Sequence, residues 1–146
     1  MKPTDTIGGL VGLASRVLTN ELEAQFSQSG LNLTREQWIF LMTVIDAERI
    51  TPLELSKQLL KNRGSVTSLI KGLEKRELIH RITSETDGRS YSIVATQQAV
   101  AMIESSKQVA FGVLGKALHN FDSQQQQQLH ELLNMFVENL LGENNG

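Results

Sequence analysis

Residues 51–96 read TPLELSKQLLKNRGSVTSLIKGLEKRELIHRITSETDGRSYSIVAT. Thr51-Pro52-Leu53-Glu54 is a strong helix start: threonine caps, proline is pre-set for the first helical position, and Glu54 can close a capping box. Ile50 and Leu55 sit where a hydrophobic staple would fix the entry of the chain. Lys61-Asn62-Arg63-Gly64 interrupts the short helix, and Asn62 is a good cap for a second one. That second helix carries Val66, Leu69, Ile70 and Leu73, an i, i+3, i+4, i+7 stripe that must face a core. Its opposite face is Arg63, Ser65, Thr67, Ser68 and Lys71, short hydrogen-bonding side chains flanked by cations.

After Leu78-Ile79 the period changes. His80–Thr83 and Ser90–Val94 read as two strands, with Ser84-Glu85-Thr86-Asp87-Gly88-Arg89 as the loop between them. Helix, helix, hairpin is the order of a winged helix-turn-helix, whose second helix enters the major groove by its N-terminal half. Small polar residues there allow close approach to base edges, while Arg63 and Lys71 can read guanine or grip phosphate. Each assignment has a plainer alternative. Ser65 can help Asn62 cap the helix, and Lys71 can be an ordinary solvated lysine.

Charge distribution agrees with a nucleic-acid partner better than the sum does. The chain carries a net −2, yet between residues 51 and 95 eight cations stand against five anions, a local +3 that leaves −5 elsewhere. Basic charge is concentrated in the helix-and-hairpin unit.

Working outward, Thr4 or Asp5 can cap a first long helix with Leu10, Leu13, Ala14, Val17, Leu18, Leu22 and Phe26 at helical spacing, stopping at Ser29-Gly30. Thr34-Arg35-Glu36-Gln37 is a capping box, with Leu33 and Trp38 as its staple. The helix it starts, to about Ala47, is apolar nearly all round and therefore buried. Past Thr96 a helix runs to about Asn120 with Val100, Ile103, Ala110, Phe111, Leu114, Ala117, Leu118 and Phe121 as its apolar residues. Asp122-Ser123 restarts another, with Gln126 completing a capping box and Leu129, Leu132, Leu133, Phe136, Val137, Leu140 and Leu141 as its apolar side. The run Gln124–Gln128 reads as the polar first turn and face of that helix. The fold expected is mainly α with a small β-hairpin wing: a winged helix-turn-helix over 33–96, and dimerisation helices over 1–32 and 97–146. A unit so small cannot cover the apolar stripes at both ends of the chain, and pairing two copies removes that surface from water. A two-fold homodimer would set two recognition helices about 34–36 Å apart.

ELSKQLLKNRGSVTSLIKGLEKRELI, followed by DGR and a second wing strand ending in Thr96, resembles the MarR/SlyA group of bacterial transcriptional regulators. The resemblance implies a repressor on a pseudo-palindromic double-stranded DNA operator, with Asn62, Arg63, Ser65, Thr67, Ser68 and Lys71 on the recognition helix. It also implies that Arg89 enters or skirts the minor groove, where a narrow groove attracts a guanidinium, and that Asp87 helps to hold the loop. The alternative for Arg89 is a solvated turn with a local ion pair. Similar regulators bind small aromatic or phenolic acids in a cleft between the dimer helices and the winged domain, which makes Arg16, Trp38, Met42 and Phe111 the ligand candidates. Core packing is the plainer reading of Trp38 and Met42, and the solvent face that of Arg16. Departures are Gly88, where a second arginine is frequent, Glu77 in place of a glycine, and Ala95 in place of a leucine.

Hydrophobic residues at 40% and charged residues at 21% fit an ordinary globular protein. The chain has no cysteine, which excludes disulfides, zinc-thiolate sites and thiol-based sensing by this chain. His80, His119 and His130 have no metal-ligand spacing, and no phosphate loop, nucleophile elbow or paired-acid motif is present. No enzyme, metal or cofactor is expected. Apolar runs are broken by charges and no basic-then-apolar leader opens the chain, so a cytoplasmic protein without membrane segments is expected. The competing reading is a winged-helix interaction adaptor that does not bind DNA.

Overall fold

The computed structural model describes residues 1–86 and 88–142. After a 3-10 turn at Pro3–Asp5 come α1 (Ile7–Gln28), α2 (Arg35–Ala47), α3 (Pro52–Leu59), α4 (Arg63–Lys75), β1 (Ile79–Thr83), β2 (Tyr91–Ala95), α5 (Gln97–Ala117) and α6 (Ser123–Leu141). The molecule is thus mainly helical with one two-stranded antiparallel sheet. It divides into two compact units, Met1–Val113 and Leu114–Gly146.

Helix starts follow side-chain capping, which satisfies otherwise orphaned N–H groups. Thr34 accepts from the Gln37 N–H while the Gln37 amide reaches back to Thr34, the expected box. Thr51 accepts from Glu54 N–H, but among the described residues the Glu54 carboxylate makes no return bond. Asn62 accepts from Ser65 N–H at 2.8 Å. Two caps lie elsewhere than expected. Thr6, not Thr4 or Asp5, starts α1 by accepting from Gly9 N–H, because Asp5 is already engaged by the Lys2 N–H at 2.8 Å. In α6 the partner of Asp122 is Gln125, not Gln126.

The first unit has one apolar core. Leu22 and Phe26 of α1, Phe40, Leu41 and Val44 of α2, Leu55 of α3, Val66, Ile70 and Leu73 of α4, and Ile79 and Ile93 of the hairpin share it. Ile50 belongs to it too, and exchanges both backbone hydrogen bonds with Ile93, at 3.1 and 2.7 Å. This one-residue bridge ties the hairpin to the chain just before α3, an attachment that the sequence does not announce. The inward residues of α5 are Ala99, Ile103, Ser106 and Val113, whereas Val100, Phe111 and Leu114 of its apolar stripe are exposed in the single chain.

In the second unit, α6 contains no buried residue. Leu129, Leu132, Leu133, Phe136, Val137, Leu140 and Leu141 are all exposed in the single chain. No helix among the described residues is long and apolar enough to cross a membrane.

Candidate nucleic-acid interface

The α3–α4 connection is Leu60–Asn62, shorter than expected, because Arg63 and Gly64 already belong to α4. Leu60 caps α3 in the left-handed conformation, with φ 54°. Lys61 N–H then donates to Ser56 O at 3.1 Å, and the Ser56 hydroxyl donates to Lys61 O. The Lys61 ammonium pairs with Glu36 at the start of α2. The turn is therefore fixed from both sides, and α4 leaves it at a set angle.

On α4, burial of Val66, Ile70 and Leu73 turns the opposite face outward. Arg63, Thr67 and Lys71, each four residues from the next, form one exposed ridge, with Ser68 beside it and Ser65 half-buried. Asn62 performs the capping, and Ser65 contributes its backbone N–H to that cap. On the flank, Gly64, Ser65, Ser68 and Gly72 border an open groove of about 630 Å³ against Glu36 and Gln37 of α2. Small side chains on this flank leave room for another backbone to approach α4.

Not every cation of the region is available to a partner. Lys61 is held by Glu36, Arg81 by Glu74 at 3.0 Å, and Arg76 donates to Gln37 Oε1 at 3.3 Å. Lys57, Arg63, Lys71 and Lys75 are exposed, and among the described residues none of them forms an ion pair. Two of those four, Arg63 and Lys71, stand on the outward ridge of α4.

The strands pair Ile79 with Ala95 through Thr83 with Tyr91. Ser84 N–H donates to Ser90 O at 2.9 Å and closes the neck of the loop. The Ser84 hydroxyl accepts from Thr86 N–H at 3.3 Å. Gly88 and Arg89 are exposed in this loop, and Asp87 lies outside the described residues.

The four ligand candidates fall into two environments. Trp38 and Met42, one turn apart on α2, pack partly buried against the core. Trp38 meets Phe26 edge-on at 5.5 Å, and its indole N–H donates to the buried Ser106 hydroxyl at 2.7 Å. Arg16 is exposed on α1, and Phe111 is 81% exposed on α5. Sequence reasoning missed the roles of Glu74, Arg81, Tyr91 and Ser106. In the sequence Arg81 shows only as one of the cations of the unit. Its placement diagonally across from Tyr91 in the hairpin was the available signal.

Among the described residues no group of histidine, aspartate or glutamate side chains is arranged to hold a metal ion. A model of the MarR family matches residues 31–90. The organic hydroperoxide resistance transcriptional regulator of Bacillus subtilis (strain 168) is 28% identical over 115 residues, 79% of this chain and 77% of the relative. The transcriptional repressor YetL of the same organism is 24% identical over 86% of this chain and 75% of its own length. Among solved structures, a mutant MarR from E. coli complexed with operator DNA superposes with a TM-score of 0.82 at 23% identity, covering 89% of this chain and 92% of that one.

Proposed function

We propose that this chain, whose residues 31–90 match the MarR family model, is a DNA-binding transcriptional regulator of that family and acts as a homodimeric repressor of a pseudo-palindromic operator. The carrying observation is the outward ridge of α4: Arg63, Thr67 and Lys71 exposed on a capped helix whose other side is locked into the core. In this reading the N-terminal half of α4 enters the major groove, with Arg63, Ser65, Thr67, Ser68 and Lys71 toward bases and phosphates. Asn62 orients them by fixing the start of the helix. Arg89 reaches the adjacent minor groove. The relatives here are regulators, and their chemistry is binding rather than catalysis.

The dimer is assigned to 1–32 and 97–146, where Leu10, Val17, Phe111, Leu132 and Leu140 stand exposed in the single chain. Covering those side chains with a second copy withdraws apolar surface from water. The winged helix-turn-helix is assigned to 33–96. A small aromatic or phenolic acid would relieve repression by changing the separation of the two winged units, so that the half-sites are no longer engaged together. Arg16 and Phe111 would take part in that site once the dimer covers them, with Trp38 and Met42 as its inner wall.

A salt titration of binding to DNA flanking the gene tests this reading. Affinity should fall steeply and linearly on a double-logarithmic plot as phosphate contacts release counterions. Salt-insensitive association, or none, favours an interaction adaptor instead.

A further inference from the structure

Ile79 and Ile93 root the hairpin in the core, but the rest of β1 is exposed. Each strand has five residues, and in β1 only Ile79 is buried while His80, Arg81, Ile82 and Thr83 are exposed. A two-stranded hairpin is marginal on its own. Beyond the core contacts of Ile79 and Ile93 and the Ile50–Ile93 bridge, a side-chain link joins the exposed part of β1 to α4. Arg81 Nε donates to both carboxylate oxygens of Glu74, at 3.1 and 3.0 Å. Its guanidinium carbon lies 4.5 Å from the centre of the Tyr91 ring. Glu74 stands in the last turn of α4, where a carboxylate is disfavoured by the helix dipole. It also adds an anion to the most basic part of the chain. Neither placement helps the helix or a polyanionic partner, and both are accounted for by the link to Arg81.

We infer that Arg81 is a positioning residue: the Glu74–Arg81–Tyr91 contact couples the hairpin to the recognition helix, so that Arg89 and the α4 ridge present themselves to one duplex together. This rests on the DNA-binding reading above. It makes a claim opposite in sign to simple electrostatics. Removing the Glu74 charge should strengthen binding if charge alone matters, because the unit becomes more basic. With the coupling lost, the hairpin must be ordered at the moment of binding, and affinity falls.

The test uses the full chain and a duplex selected by the wild-type protein from a random pool. Glu74→Gln and Arg81→Gln should each weaken binding about three- to tenfold, the scale of a part-exposed ion pair plus a cation–π contact. The salt slope should stay at the wild-type value for both, since no phosphate contact is removed. The double exchange Glu74→Arg with Arg81→Glu should recover part of the loss. In the free protein, the heteronuclear NOE of the Thr86 and Arg89 amides should fall in both single variants. Tighter or unchanged binding by Glu74→Gln overturns the inference. A salt slope reduced by about one in Arg81→Gln also overturns it, because Arg81 then grips phosphate directly. If no duplex is selected, the DNA-binding reading fails and the NOE measurement alone decides the coupling: unchanged values refute it.

Discussion

The Thr96 hydroxyl donates to the Glu77 carbonyl at 2.9 Å, joining the end of the wing to the turn that follows α4. The Thr96 hydroxyl also accepts from Ala99 N–H at 3.2 Å, so the same side chain starts α5. Glu77 sits at φ 60°, in the left-handed region that costs an L-residue about 1–2 kcal/mol. Its side chain is exposed. The fold holds a glutamate in a conformation suited to glycine, and the Thr96 bond helps to keep it there.

Replacing that residue should therefore stabilise the protein. Glu77→Gly is expected to raise unfolding free energy by about 0.5–1 kcal/mol, the relief of strain less the extra chain entropy of glycine. Urea denaturation monitored by circular dichroism measures it. A lower midpoint would show that Glu77 contributes something the geometry does not contain.

Ser106 is the only buried polar residue of the core among those described. Its hydroxyl accepts from Trp38 at 2.7 Å and donates to Ile103 O at 2.6 Å. Ser106→Ala leaves the indole N–H without that acceptor and should destabilise by about 1–2 kcal/mol. The single tryptophan allows fluorescence to follow the same transition. No change in midpoint would mean that the indole finds water instead.

Exposed leucines and Phe136 on α6 predict the effect of placing charge there. Leu132→Glu combined with Phe136→Glu should convert a dimer to a monomer of 16.2 kDa in light scattering at micromolar concentration. Operator affinity should fall with it, because two half-sites are no longer held together. A variant that stays dimeric removes α6 from the interface.

One relative is named for organic hydroperoxide resistance, and cysteine oxidation is the common chemical route to such sensing. This chain has no cysteine. Cumene hydroperoxide followed by dithiothreitol should leave operator affinity where it began at both steps. A loss that the thiol reverses would contradict this.

The legible parts of the molecule were those with short-range causes. Thr34, Thr51 and Asn62 announce their helices because a cap acts over three residues. The change from helical to alternating period located the hairpin to within a residue or two. Competing polar residues defeated the caps of α1 and α6, where Asp5 and Gln126 were as plausible on paper as Thr6 and Gln125. Long-range causes left no trace. The Ile50–Ile93 bridge and the Trp38–Ser106 bond join residues far apart in sequence, and a serine in a helix gives no sign that it will be buried. The outward ridge of α4 was readable because the inward stripe of Val66, Ile70 and Leu73 fixes it by subtraction. The anchoring role of Arg81 was not, since it depends on how the hairpin lies against α4.

Two copies of this unit engage one duplex in the proposed function, and hydroxyl-radical footprinting on the DNA flanking the gene tests that most directly. It should give two protected major-groove patches about one helical turn apart on the same face. Arg89→Ala should selectively lose protection at the flanking minor-groove positions. A single protected patch, protection on opposite faces, or an Arg89→Ala footprint identical to wild type would contradict it.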